Sequence, residues 1–110
     1  MRTKSLKGVN LELANLKGSN LEFANLKLAD LKEVNLMKEN LGYANMIGAN
    51  FFGSNLENAN LDYAYLVNVN LKGANLRGPY LRANLENANL KGVIFCNTIM
   101  PSSKRNNTGC

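Results

Sequence analysis

From Leu6 to Phe95 the chain sets a large hydrophobe at every fifth position, with one step of four at Leu81–Leu85, and the residue before it is usually asparagine. The stretch "ANLKGSNLEFANLKLADL", residues 14–31, carries Leu16, Leu21, Leu26 and Leu31 in this way. On an α-helix five residues advance about 500°, so successive leucines rotate by roughly 140° and make no stripe. On a continuous strand an odd spacing sends alternate leucines to opposite faces. The pattern excludes both a long helix and a long strand.

Reading each repeat as five positions (small, Asn, central hydrophobe, fourth, fifth) removes the conflict. The first three alternate as a short strand does, with the small residue and the hydrophobe on one side and the asparagine on the other. The last two turn the chain. Of the eighteen full-length repeats, eleven have Gly or Asn in the fifth position, among them Gly8, Gly18, Gly48, Asn58 and Asn68. Those are the residues that most readily take the positive φ of a type II turn. The others, such as Leu13, Phe23 and Tyr43, are expected in type I or irregular turns. A corner every five residues, always of the same hand, closes a four-sided coil in twenty. Phe23, Tyr43 and Tyr63, spaced by 20, are then expected to stack in one ladder, and Leu11, Leu31, Phe51, Leu71 and Leu90 form one of four inner columns.

The chain resembles the pentapeptide repeat family, whose motif is A(D/N)LXX. Nineteen repeats centred from Leu6 to Phe95 carry the resemblance; fourteen second positions are Asn and one is Asp30, with Ser5, Tyr65, Tyr80 and Ile94 as exceptions. The resemblance implies an all-β fold, a right-handed quadrilateral parallel β-helix of about five coils with four five-residue sides each. It places a β-helix over residues 1–97 and a C-terminal tail, 98–110, capping the last coil.

Two departures stand out. "GPYLRANL" sets Leu85 only four positions after Leu81, so one corner residue is missing and the coil must tighten there. Glu39 occupies a small, inward position between Ser19 below and Ala59 above. A lone carboxylate in an apolar shaft would cost several kcal/mol or stay protonated, so a locally distorted wall that lets Glu39 reach water is expected; a buried acid with a role is the alternative and would need a partner, none being evident nearby.

Chemistry is sparse. The chain has no histidine, the commonest general base and metal ligand. It shows no phosphate-binding loop, dinucleotide fingerprint or Cys/His metal spacing. Glu12, Glu22, Glu57, Asp62 and Glu86 fall in outward fourth positions and read as a solvated face. No enzyme, cofactor, metal site or small-molecule substrate is expected. Thirteen Lys and Arg against eight Asp and Glu give a formal +5, which permits contact with a polyanion without demanding it. There is no apolar run of membrane-spanning length and no signal-peptide core behind "MRTKSLKG", so a cytoplasmic protein with no membrane span is expected.

The surface holds the remaining signal. Between Lys38 and Lys72 no basic residue occurs. The corner of Phe23, Tyr43 and Tyr63 adjoins a side bearing Leu28, Ile47, Tyr65 and Val67, so the seven form a candidate interaction strip. Aromatics stacked only to stabilise their own corner are the alternative.

The tail "CNTIMPSSKRNNTGC" resembles those of pentapeptide repeat proteins from photosynthetic bacteria, which often end in an F-C-x-T-x-M-P run and a later Cys. That likeness points to a Cys96–Cys110 disulfide over the open top, and with it an oxidising compartment. Two thiols in a reducing cytosol are the alternative. Three functions follow: a monomeric, non-enzymatic scaffold presenting the strip to a protein; a DNA-mimic topoisomerase inhibitor like the family's gyrase inhibitors, disfavoured by the positive charge; and a weak polyanion binder. Nucleic acid is not the expected partner.

Overall fold

The computed structural model describes residues 5–110; the first four residues of the expected repeat region lie outside them. The wall contacts are parallel bridges between second positions one coil apart. They form four columns: Ser5–Asn25–Asn45–Tyr65–Asn84, Asn10–Asp30–Asn50–Asn70–Asn89, Asn15–Asn35–Asn55–Asn75, and Asn20–Asn40–Asn60–Tyr80–Ile99. The spacing is 20 residues up to Tyr80 and 19 across the shortened repeat, so the missing residue is absorbed without loss of register. The third column continues where β1 (Asn75–Arg77) pairs in parallel with β2 (Ile94–Cys96).

One mid-rod repeat shows why the motif has this composition. Ala44 N–H closes the turn onto Leu41 O (3.1 Å), Asn45 N–H bonds Ala24 O of the coil below (2.9 Å), and Met46 and Gly48 N–H bond Tyr65 O and Val67 O of the coil above (both 2.9 Å). The fourth-position N–H, of Ile47, has no ladder partner and donates to the Asn45 side chain (3.2 Å). The asparagine is therefore the acceptor that completes the backbone account of each repeat that carries one. Inside, the central and small residues fill a shaft in which Leu26, Leu31, Leu36, Met46, Phe51 and Leu56 are fully buried. Leu6, Leu11 and Leu16 near one end and Leu85, Leu90 and Phe95 near the other are only partly so.

The corners correct one expectation. Leu13, Phe23, Leu28, Glu33, Lys38, Tyr43 and Tyr63 all have φ between 53° and 63°, like the glycine and asparagine corners, rather than lying in type I or irregular turns. In this corner geometry the N–H of each of the seven bonds a carbonyl of the coil above. The ladder therefore overrides a local cost of about 1–2 kcal/mol at each such residue.

Glu39 corrects another. The wall does not open to water: Glu39 is 1% exposed. Its carboxyl accepts from Gly18 N–H, and Ser19 Oγ lies 2.9 Å from Oε2. Gly18 N–H is drawn from the carbonyl of Met37, its ladder partner by register, and the bond from Asn40 N–H to Ser19 O is absent as well.

At the shortened repeat the corner tightens, as expected. Leu81 O accepts from Ala83 N–H (2.8 Å), so a three-residue γ-turn centred on Arg82 replaces the four-residue corner. Parallel pairing reaches Ile99, and β3 (Thr98–Ile99) then turns through Pro101–Ser103 to pair antiparallel with β4 (Arg105–Asn106). Ser103, at φ 65°, is the left-handed residue such a three-residue hairpin loop uses. Thr98 is fully buried and donates to Leu76 O. Cys110 returns to the rim and is disulfide-bonded to Cys96. Gly109 N–H bonds Phe95 O at 2.6 Å, and a Cβ on Gly109 would lie 2.9 Å from that same oxygen, so the closure needs glycine.

Candidate functional site

The 20-residue register sets the seven strip residues on one corner and the wall beside it, on three successive levels. Phe23, Tyr43 and Tyr63 stack with ring centroids 5.0 and 5.3 Å apart, and each ring is about half exposed. On the adjoining wall Tyr65 is 52% exposed, while Ile47 and Val67 are half-buried. Leu28 lies against Gly48, where a Cβ would meet Leu28 Cδ2 at 2.8 Å. The result is an apolar surface on a rigid shaft, in which stacked rings lose little further freedom on binding.

Above Tyr63 the ladder stops, because the residue that would stack on it is the one missing from the shortened repeat. Arg82 fills part of the space. Its guanidinium carbon lies 5.6 Å from the ring centroids of both Tyr63 and Tyr80, a cation–π arrangement. Its side chain grips Asp62 one coil below, with Nε donating to Oδ1 (3.1 Å) and Nη2 to Oδ2, and its backbone N–H also donates to Oδ1 (3.1 Å). Asp62 is thus not the solvated outward acid expected of a fourth position: it is 9% exposed and paired. The hydrogen bond and charge of Asp62 hold the Arg82 pKa above its ordinary value, so this cation persists throughout the working pH range.

Beside Arg82 the missing corner leaves an open groove of about 460 Å³, lined by Tyr63, Tyr65, Arg82, Asn84, Pro101 and Ser103. Arg82 and Tyr80 were not singled out as site residues by the sequence. Their signal was present, since Asp62 and Arg82 are opposite charges in one outward column, one coil apart. Among the described residues no group of His, Cys, Asp and Glu could hold a metal ion. Both cysteines are spent in the disulfide. No helix among the described residues is long and apolar enough to cross a membrane.

A family model described as Pentapeptide repeats matches residues 5–38 and 40–78, in 8 copies. Among solved structures the chain is similar to the pentapeptide repeat protein Rfr23 of the cyanobacterium Cyanothece 51142, with 48% identity and a TM-score of 0.67 over 81% of this chain and 58% of that one. It is also similar to a pentapeptide repeat protein of the Arabidopsis thaliana thylakoid lumen, with 26% identity and a TM-score of 0.53 over 81% of this chain and 66% of the other. The chain therefore spans less than two thirds of the length of these relatives. QnrB1, a plasmid-mediated fluoroquinolone resistance protein, is 16% identical with a TM-score of 0.42 over 79% of this chain and 58% of that one, a likeness that carries no functional argument. No curated protein matches the chain.

Proposed function

The chain belongs to the pentapeptide repeat family, and from that premise we propose that it is a non-enzymatic interaction module presenting its aromatic corner to a protein partner. The family folds as a right-handed quadrilateral β-helix, in accord with the four bridge columns; we read this chain as about five coils, with residues 98–110 as their cap. The observation that carries the functional reading is the contiguous strip from Phe23 to Val67, four of its seven residues aromatic and held in register by the ladder. An exposed apolar surface of this kind is the ordinary mark of an interaction site.

The DNA-mimic alternative needs a surface of the opposite sign, since the chain carries a formal +5. Micromolar protein is therefore expected to leave gyrase supercoiling untouched. The disulfide favours an oxidising compartment, because such bonds are rare where glutathione and thioredoxin keep thiols reduced. The functional reading is tested by retention of a partner from the native host on wild-type protein and on a Tyr43→Ala/Tyr63→Ala variant. Loss of one defined band with the double variant supports it, and equal retention contradicts it.

A further inference from the structure

Three departures from the repeat converge on one place. The second position is Tyr instead of Asn at residues 65 and 80, and the corner after Arg82 is one residue short. The first has a visible cost: Val67 N–H, which an asparagine at 65 would bind, has no acceptor among the described residues. At the second, Arg82 N–H is rescued only by the Asp62 carboxylate. Local rules broken without gain to the fold are the expected signature of a functional site. Tyr65 and the shortened corner at Arg82–Ala83 line the groove above Tyr63, and Tyr80 stands behind it against the Arg82 guanidinium.

The groove has a definite chemistry. Its lining includes Tyr63, Tyr65, Pro101 and Arg82, whose guanidinium also lies against the Tyr63 and Tyr80 rings. Its polar groups are mostly donors. The guanidinium spends two N–H groups on Asp62 and has others to offer, and the phenols of Tyr63 and Tyr65 make no hydrogen bond among the described residues. Asp62, the carboxylate nearest by register, is engaged by Arg82 through both oxygens and is 9% exposed. Tyr80 lines the far side of Arg82 and acts as a positioning residue. Such a site suits a ligand that is apolar, rich in carbonyl acceptors and poor in N–H donors. A polyproline II segment fits that description, because its backbone carbonyls have no internal partners and its proline rings pack between aromatic side chains.

We propose that the groove above Tyr63 binds a proline-rich segment of a partner protein in the polyproline II conformation. The proposal rests on the reading of the chain as an interaction module and names the chemistry of what is bound. Carbonyls of the segment accept from Arg82 and the tyrosine hydroxyls, while its rings lie between Tyr65 and Pro101.

The test uses the whole oxidised chain, a synthetic oligoproline of ten residues as probe, and amide and Arg Nε–H chemical shifts as readout. The expected result is saturable shifts at Arg82, Ala83, Asn84 and Ser103 below about 1 mM probe, and none with a Gly/Ser peptide of equal length. Tyr65→Asn restores the family asparagine, so it is expected to melt no lower than wild type, yet to bind oligoproline at least about fivefold more weakly, as loss of an anchoring aromatic implies. Lys72→Ala, half a coil away, is expected to bind as wild type does. Absence of shifts, shifts unchanged by Tyr65→Asn, or equal shifts with a Gly/Glu peptide would overturn the proposal, the last by making the groove an anion site. A partner lost with the Tyr43→Ala/Tyr63→Ala variant but kept by Tyr65→Asn would overturn it too, while leaving the interaction-module reading intact.

Discussion

Ser19 and Glu39 stand one above the other in the same column, and the serine hydroxyl lies 2.9 Å from Glu39 Oε2 inside the closed wall. The acid accepts from Gly18 N–H of the coil below and lies beside the Ser19 hydroxyl, whose one proton also has Leu16 O at 2.7 Å, and two ladder bonds are displaced. Glu39→Ala restores the ordinary small residue and lets Gly18 N–H return to Met37 O. Its stability is expected within about 1 kcal/mol of wild type or above it, although the side chain is buried. Ser19→Ala, which removes the hydroxyl shared between Leu16 O and the buried acid, is expected to cost about 1–3 kcal/mol. Urea denaturation of the two variants checks the contrast; a large loss on Glu39→Ala with none on Ser19→Ala would reverse the account of this pair.

Lys38 is exposed and sits at φ 63°, in a corner where its neighbours one coil either way are Gly18 and Asn58. Asparagine tolerates this conformation at lower cost. Lys38→Asn is expected to raise stability by about 0.5–1 kcal/mol, seen as a higher thermal midpoint. An unchanged or lower midpoint would mean that the corner is not strained.

How far the sequence reached follows from which interactions repeat. Every feature set by the five-residue period was legible: the four sides, the inward leucines, and the Phe23–Tyr43–Tyr63 ladder. The corners at Leu13, Phe23 and Tyr43 were misread because propensity was applied one residue at a time, while the geometry is imposed by the coil above. The burial of Glu39 is not legible from its own position, because its partners, Gly18 N–H and the Ser19 hydroxyl, belong to the coil below. The Asp62–Arg82 pair needed the same column reasoning applied to charges. The groove depends on where the chain goes after Met100, and the repeat says nothing about that hairpin.

Leu56 is fully buried at mid-rod, whereas Lys72 is exposed. Leu56→Ala is expected to cost about 2–5 kcal/mol, and Lys72→Ala to fall within about 0.5 kcal/mol of wild type. Chemical denaturation giving equal effects would contradict the inward assignment of the central position.

The Cys96–Cys110 bond closes a segment with a sequence separation of 14 and ties the tail to the rim. Loop entropy assigns such a bond about 3 kcal/mol. Reduction is expected to lower the thermal midpoint, with amide exchange rising first in residues 94–110, where support comes from one side only. Thiol titration of unfolded, unreduced protein is expected to find no thiols. Two thiols per chain, or a midpoint indifferent to reductant, would mean that the tail stands without its staple.

The central claim is that the exposed rings of Tyr43 and Tyr63 serve a partner rather than the fold. The most direct measurement compares what wild-type, Tyr43→Ala/Tyr63→Ala and Lys72→Ala proteins retain from extract of the native host, with circular dichroism confirming that all three are folded. The account predicts one defined protein retained by wild type and by Lys72→Ala and lost with the double variant. Retention that is the same for all three, or a double variant that unfolds because the ladder holds the corner together, would contradict it.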